Sequence, residues 1–270
     1  MTLSSLTNKT AILTTVANFE LYNKTSNLFP AGIQVYVIDG RNGMHGLHSI
    51  LFMFKKLRNR DIEWLIMADE DVIFTNPEEI FSLIGFMGRN DYTVSGVRDG
   101  GEVRHRNKNP YAINTFFSIL NFKKVSKLFN DKEILQNQYI KEGEFSDDLV
   151  RLAFEFDKTS LYEPYYCFYF WLRRKGEKIF FLESKMLQEE NEKISNEVFN
   201  ADGTSLLIHT WYARSYGNNE KHTTRIGRIL EKTDLKLNSK QVVIFKDSMF
   251  WIKMRIFKIG KRIKMRLTTV

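Results

Sequence analysis

A single cysteine, Cys167, leaves this chain without an internal disulfide, a usage that fits a reducing compartment. No uninterrupted apolar run approaches the ~20 residues that a membrane-spanning helix needs. Even Tyr165 to Leu172 is short and ends against Arg173-Arg174-Lys175. The N-terminus lacks a basic segment followed by an apolar one, so no signal peptide is expected and cytoplasmic residence follows. There is no internal repeat and no low-complexity linker. No recognisable nucleic-acid motif accompanies the net charge of +8, so no nucleic-acid partner is expected. What is present is apolar material. At 43% hydrophobic residues over 270 positions there is enough for one large α/β core that folds unstapled.

The charge is concentrated at one end. Lys246, Lys253, Arg255, Lys258, Lys261, Arg262, Lys264 and Arg266 face Asp247 alone, so the rest of the chain is close to neutral. Phe245, Phe250, Trp251, Ile252, Met254, Ile256, Phe257 and Ile263 are interleaved with those charges, which makes residues 239–270 a basic amphipathic tail suited to an anionic membrane surface. At about 1 kcal/mol per basic residue near an anionic leaflet, such a tail contributes several kcal/mol of attachment. The competing reading is a C-terminal helix that packs its apolar side on its own domain.

Residues 1–238 read as one domain. Thr10 to Val16 and Ile33 to Asp39 are short β-branched runs with a helix-length segment between them, and His48 to Leu57 is a helix. Asp39 closes its strand ahead of Gly40, Gly43 and Gly46, a pattern that predicts a parallel sheet with a ligand at the carboxyl ends of its strands. Asn76 is placed as an N-cap with Pro77 at the first helical position. Residues 122–156 read as mainly helical, 164–175 as a helix closed by Gly176, 188–201 as a polar loop, and Leu206 to Ile208 as a last strand delivering His209.

Ile62 to Met67 forms a strand that runs into Asp69-Glu70-Asp71 before the chain turns apolar again at Val72-Ile73-Phe74. Adjacent anions repel one another and resist burial, so a cation is expected here, and hard oxygen ligands favour Mg²⁺ or Mn²⁺. In an extended backbone Asp69 and Asp71 point one way and Glu70 the other. The bland alternative is an acidic loop at a strand end.

With this triplet, the opening βα unit ending at Asp39, and Ile208-His209-Thr210-Trp211, the chain resembles the GT-A class of nucleotide-sugar glycosyltransferases of the bacterial surface-polysaccharide type, over roughly the first 225 residues. The resemblance implies a GT-A-like α/β domain with a mainly parallel central sheet flanked by helices. It makes Asp69-Glu70-Asp71 the DxD motif, with Asp71 a direct metal ligand, Asp69 a contact to the donor ribose or metal-bound water, and His209 the third protein group. Arg214, Lys221, His222 and Arg225 follow His209 and are expected to clamp the diphosphate when their segment folds over the donor. Thr14, Thr15 and Asp39 lie where the class binds base and ribose, and Asn114 is similar to an asparagine near the donor sugar. Ile38-Asp39-Gly40-Arg41 stands in place of the class's Asp-Asp-Gly-Ser.

For an inverting reaction Glu163, ahead of Pro164, is the first candidate base, with Asp147 and Asp148 as rivals; if none acts, a retaining mechanism is the alternative. The implied function is metal-dependent transfer of a sugar, from a UDP-sugar in the first instance, to a lipid-linked or surface-glycan acceptor, by an enzyme peripheral at the inner face of the cell membrane. Two competitors remain: a sugar nucleotidyltransferase, whose phosphate loop Thr15-Val16-Ala17-Asn18-Phe19 does not resemble, and a non-catalytic glycan-binding or membrane-associated module.

Overall fold

Runs that are apolar at consecutive rather than alternate positions make strands that must be covered on both faces. The computed structural model, which describes residues 3–188, 192–233, 241–257 and 259, builds such a sheet. In chain order the elements are α1 (Leu3–Asn8), β1 (Thr10–Val16), α2 (Phe19–Thr25), β2 (Gln34–Asp39), α3 (Leu47–Leu57), β3 (Trp64–Ala68), β4 (Val72–Phe74), α4 (Glu79–Arg89), β5 (Tyr92–Arg98), β6 (Ile113–Asn121), α5 (Phe122–Leu128), α6 (Asp131–Leu135), α7 (Tyr166–Arg174), β7 (Lys178–Leu182), β8 (Ser184–Met186), β9 (Asn196–Phe199), β10 (Ser205–His209), α8 (Glu220–Glu231) and β11 (Val242–Phe245).

Seven strands form the central sheet in the order β11-β2-β1-β3-β6-β5-β7. Within it β6 runs against β3 and β5, and the other pairings are parallel. A second, antiparallel sheet has the order β4-β10-β9-β8. The fold is therefore mixed α/β, with a mostly parallel central sheet flanked by helices. Alternate residues along each central strand feed two cores. Ile12, Val35, Val37, Trp64 and Ile66 point into the core shared with α4, α8 and the second sheet. Ala11, Leu13, Tyr36, Ile38, Leu65 and Met67 point into the core shared with α3, α5 and α7. Residues 166–172 of α7 are buried without a break, as a helix packed all round requires, and Gly176 at φ +81° follows its end.

Several expectations are corrected. Residues 136–165 hold no helix: they are tied down by side chains instead, with Arg174 gripping Glu144 at 2.6 Å and Arg98 and Arg173 both on Asp147. The polar stretch 188–201 contains β9, because Val198 points into the core and Asn196 and Ser184 bond one another; residues 189–191 lie outside the described set. Asn76 does not cap α4, which starts at Glu79; its amide donates to the Ser205 carbonyl at 2.8 Å. The segment read as a tail from 239 onward begins with sheet structure. Val242–Phe245 pairs in parallel with β2, so a β-branched run read as the start of a tail completes the edge of the central sheet. Of the tail proper, residues 250–257 are helical, and 258 and 260–270 lie outside the described residues. Among the described residues no helix is long and apolar enough to cross a membrane.

The turn after β5 is packed tightly enough to require glycine. A Cβ on Gly100 would sit 2.0 Å from the Lys108 carbonyl oxygen, and Gly101 has φ +90°. Gly100→Ala is expected to lose roughly 1–3 kcal/mol in urea unfolding. Gly227→Ala, on α8 with nothing within 4 Å, is expected to gain up to about 1 kcal/mol in the same assay.

Candidate metal and donor site

β3 belongs to the central sheet and β4 to the second one, so Asp69-Glu70-Asp71 is the joint between them. It is a turn rather than an extended segment: the Val72 N–H donates to the Asp69 carbonyl at 3.2 Å. Even so, Glu70 diverges from its neighbours, accepting from the Ala17 and Asn18 N–H groups at 2.9 and 3.0 Å. β10 pairs antiparallel with β4, with His209 opposite Val72. That register carries the His209 imidazole to Asp71, Nε2 to Oδ1 at 3.3 Å. Phe116 stacks on the ring at 4.0 Å, Trp211 lies at 4.2 Å, and Nδ1 has no partner.

The backbone after His209 is strained and clamped. Trp211 and Tyr212 both have φ near +60°, rare for large side chains. Hydrogen bonds over-determine them: Thr210 N–H and hydroxyl both donate to the Asp71 carbonyl at 3.0 Å, Arg225 donates to the Trp211 carbonyl at 3.0 Å, and Asn18 donates to the Ala213 and Tyr216 carbonyls at 2.8 Å. The Ala213 N–H in turn donates to Asp71 Oδ2 at 3.3 Å.

All three acids of the turn line a cleft of about 420 Å³ at the carboxyl ends of β1 and β3. Desolvation, reinforced by Asp71 and Glu70, holds the Asp69 carboxyl well above the usual carboxylate range, with Arg214 pulling the other way. Burial, then the Asp71 charge, pushes Glu70 up to about 7. Negative charge is thus costly here, which is the setting a cation relieves.

Thr15, Asn114, Glu163 and Arg214 reach the same cleft. The other expected residues do not. Thr14 is buried beside it. Asp39 is held by Arg41 at 2.9 and 2.7 Å, a hydrogen-bonded pair that depresses its carboxyl, and only the following Gly40 faces the cleft. Lys221 and His222 lie on α8, where His222 stacks on Tyr212 at 4.4 Å, and Arg225 is buried against Glu192 and Ser195. The clamp expected from this segment reduces to Arg214, because the hydrogen bonds around Trp211 already fix the chain as a wall. Asp147 sits in its ion pairs with Arg98 and Arg173, and Asp148 is exposed and accepts from the Val150 N–H; neither lines the cleft. His209 is also recessed, lying behind Asp71 rather than on the cleft surface.

A second carboxylate centre escaped the sequence reading. Asp99, fully buried at the end of β5, holds Arg106 through two bonds of 2.7 Å and accepts from Asn114 and from the Tyr165 and Tyr166 hydroxyls. Arg106 then reaches Glu163 at 3.0 Å, and Arg106, Glu163 and Tyr165 together form the cleft wall. The available signal was a strand-terminal carboxylate before paired glycines, Asp99-Gly100-Gly101, with Arg106 shortly after it.

No protein-family model matches the chain, and no curated protein does. Among solved structures it is similar to the mannosyltransferase PcManGT from Pyrobaculum calidifontis in complex with GDP-Man and Mn²⁺, at 9% identity and TM-score 0.33, over 46% of this chain and 48% of that one. It is similar to the glycosyltransferase GlyE of Streptococcus pneumoniae TIGR4, at 11% identity and TM-score 0.34, over 56% and 45%. Mouse xyloside xylosyltransferase 1 aligns at 12% identity and TM-score 0.37, over 65% and 84%. The chain spans about half the length of the first two.

A divalent ion fits the chemistry of this corner. Asp71 and His209 offer a hard oxygen and an imidazole nitrogen facing each other, with Asp69 in the same turn. Among the described residues no three His, Cys, Asp or Glu side chains are gathered into a closed metal site, so an ion here would complete its shell with water or ligand oxygens.

Glu70 makes the metal-free protein sensitive to pH. Its folded value near 7 lies above the ordinary 4.5, so the folded state keeps a proton that the unfolded chain releases. The contribution is full below 4.5 and is lost as pH rises to about 7. Urea unfolding across that interval is expected to show stability falling with pH, and Glu70→Gln is expected to flatten the slope.

Proposed function

We propose that this protein is a divalent-metal-dependent glycosyltransferase of the GT-A type, moving a sugar from a nucleoside-diphosphate sugar to a glycan or lipid-linked glycan acceptor. One observation carries the reading: β4–β10 pairing brings His209, from the far end of the domain, within 3.3 Å of Asp71 in the acidic turn beneath an open cleft. Asp71 and His209 would hold Mn²⁺ or Mg²⁺, with Asp69 beside them. The bound ion supplies charge neutralisation to a departing diphosphate without proton transfer. Arg214 adds a second positive group on the same wall. Thr15 and Gly40, which line the cleft, are our assignment for the nucleoside, with uridine the first to test, and Asn114 is our assignment for the donor sugar.

Of the three candidate bases Glu163 alone lines the cleft, where Arg106 holds its carboxylate at 3.0 Å. We assign Glu163 as the base of an inverting reaction on the strength of that position. The nucleotidyltransferase alternative is disfavoured by the end of β1, where the Ala17 and Asn18 N–H groups that would cradle a phosphate are taken by the Glu70 carboxylate.

Thermal-shift measurements with UDP and GDP, each with and without Mn²⁺, test the binding reading. A nucleotide at a hundredfold excess over its Kd is expected to add about 2.7 kcal/mol only when metal is present, and Asp71→Ala is expected to abolish the gain. Donor-sugar hydrolysis should fall roughly 10²- to 10³-fold in Asp71→Ala. If no nucleotide binds with metal, the non-catalytic module is the better reading. Glu163→Gln is expected to lower transfer roughly 10²-fold or more while leaving metal-dependent nucleotide binding intact; unchanged transfer would exclude it as base.

A further inference from the structure

The last described elements leave several apolar side chains bare. In the helical segment 250–257, Phe250 is buried and Met254, one turn on, packs partly against the core shared with α3 and α7, so this helix rests on the domain by one side. Its other apolar side chains face out: Trp251 is 54% exposed, Ile252 40%, Ile256 65% and Phe257 64%. Apolar groups gathered this way on a protein surface mark an interaction site, whereas scattered ones do not. The preceding strand β11, at the sheet edge, exposes Val242 and Ile244 as well.

Positive charge surrounds this face. Lys55 and Arg58 line a cleft with Phe250, and Lys56 and Arg60 lie 5.8 and 5.9 Å from the Phe245 ring. Lys246 and Arg255 are exposed, and Arg255 stacks on Trp251 at 4.5 Å. The acids nearby are Asp131, in the same cleft, Asp39, which lies 3.9 Å from Lys246, and Asp247, which is paired with Lys253 at 2.9 Å. Lys261, Arg262, Lys264 and Arg266 extend the same sign along the sequence.

We propose that residues 242–257, with Lys55, Lys56, Arg58 and Arg60 beside them, dock the domain on an anionic lipid bilayer. A second copy would bring this positive face against itself, which like-charge repulsion opposes in a two-fold pairing. A bilayer with anionic headgroups meets both requirements, since the rings and isoleucines enter the headgroup boundary while the cations stay at the phosphates. Met44 lines both the cleft beside Phe250 and the donor cleft, so docking would bring the site close to a membrane-borne acceptor. The docking is independent of the transfer reading and survives its failure.

Co-sedimentation of the full chain with phosphatidylcholine vesicles, with and without phosphatidylglycerol, tests it. Binding is expected to need the anionic lipid, to be lost at roughly 1 M salt, where screening acts over about 3 Å, and to blue-shift the tryptophan emission. Lys55→Gln or Arg58→Gln is expected to weaken partitioning about fivefold each, and the double variant Ile256→Glu/Phe257→Glu to abolish it with an unchanged unfolding midpoint. The proposal is overturned if the wild-type chain stays in the supernatant, if it binds neutral vesicles equally, or if the glutamate pair binds as wild type. It is equally overturned if that pair converts a lipid-free dimer to monomer.

Discussion

Mutual repulsion among Asp69, Glu70 and Asp71, held in one desolvated turn, is the constraint around which this molecule is arranged. The turn exists because β3 ends in one sheet and β4 begins in another, so the chain must cross between them at that point. Each acid is met differently. Glu70 is capped by two backbone N–H groups after β1, Asp71 faces His209 and the Ala213 N–H, and Asp69 is left toward the cleft with Arg214 as its opposing charge. A cation in the cleft would complete an arrangement that the protein itself only partly neutralises.

The second sheet and the segment after it are built to serve that turn. β10 needs β4 as its partner, and the register of that ladder alone decides that His209, rather than Ile208, lies beside the acids. Beyond it, two consecutive large residues adopt left-handed backbone, an unfavourable geometry sustained by bonds from Thr210, Arg225 and Asn18. Strain held in this way makes the wall carrying Arg214 a preformed surface rather than a flap. On the opposite wall Asp99 does a comparable job, holding Arg106 and two tyrosine hydroxyls, and through Arg106 it sets the orientation of Glu163.

The basic end of the chain divides its apolar residues between the core and the surface. Val243, Phe245, Phe250 and Met254 pack on the domain, while Val242, Ile244, Trp251, Ile252, Ile256 and Phe257 remain outside. Packing on the domain, one of the two readings open at the sequence level, therefore describes part of this segment, and the rest of its apolar residues are exposed.

Much was legible without coordinates because it depends on neighbours in sequence. The β-branched runs of β1, β2 and β3, the helix α3, the aromatic helix α7 with its closing Gly176, and the place of the acidic triplet between β3 and β4 all follow from short-range pattern. Residues 136–156 misled because charged residues without apolar spacing look helical in composition, while ion pairs to distant arginines hold them in irregular form. The partners of each functional group could not be read at all. Asp39 with Arg41, Asp147 with Arg98 and Arg173, and Arg225 with Glu192 are carboxylate or guanidinium groups spent on structure. Asp99 and Arg106 form a centre whose local sign, a strand-terminal carboxylate before paired glycines, says nothing of its partners Asn114, Tyr165 and Glu163. The order of residues determines which side chains stand at strand ends; sheet order, strand register and long-range ion pairing decide which of them share a cleft, because those contacts join segments that the chain keeps far apart.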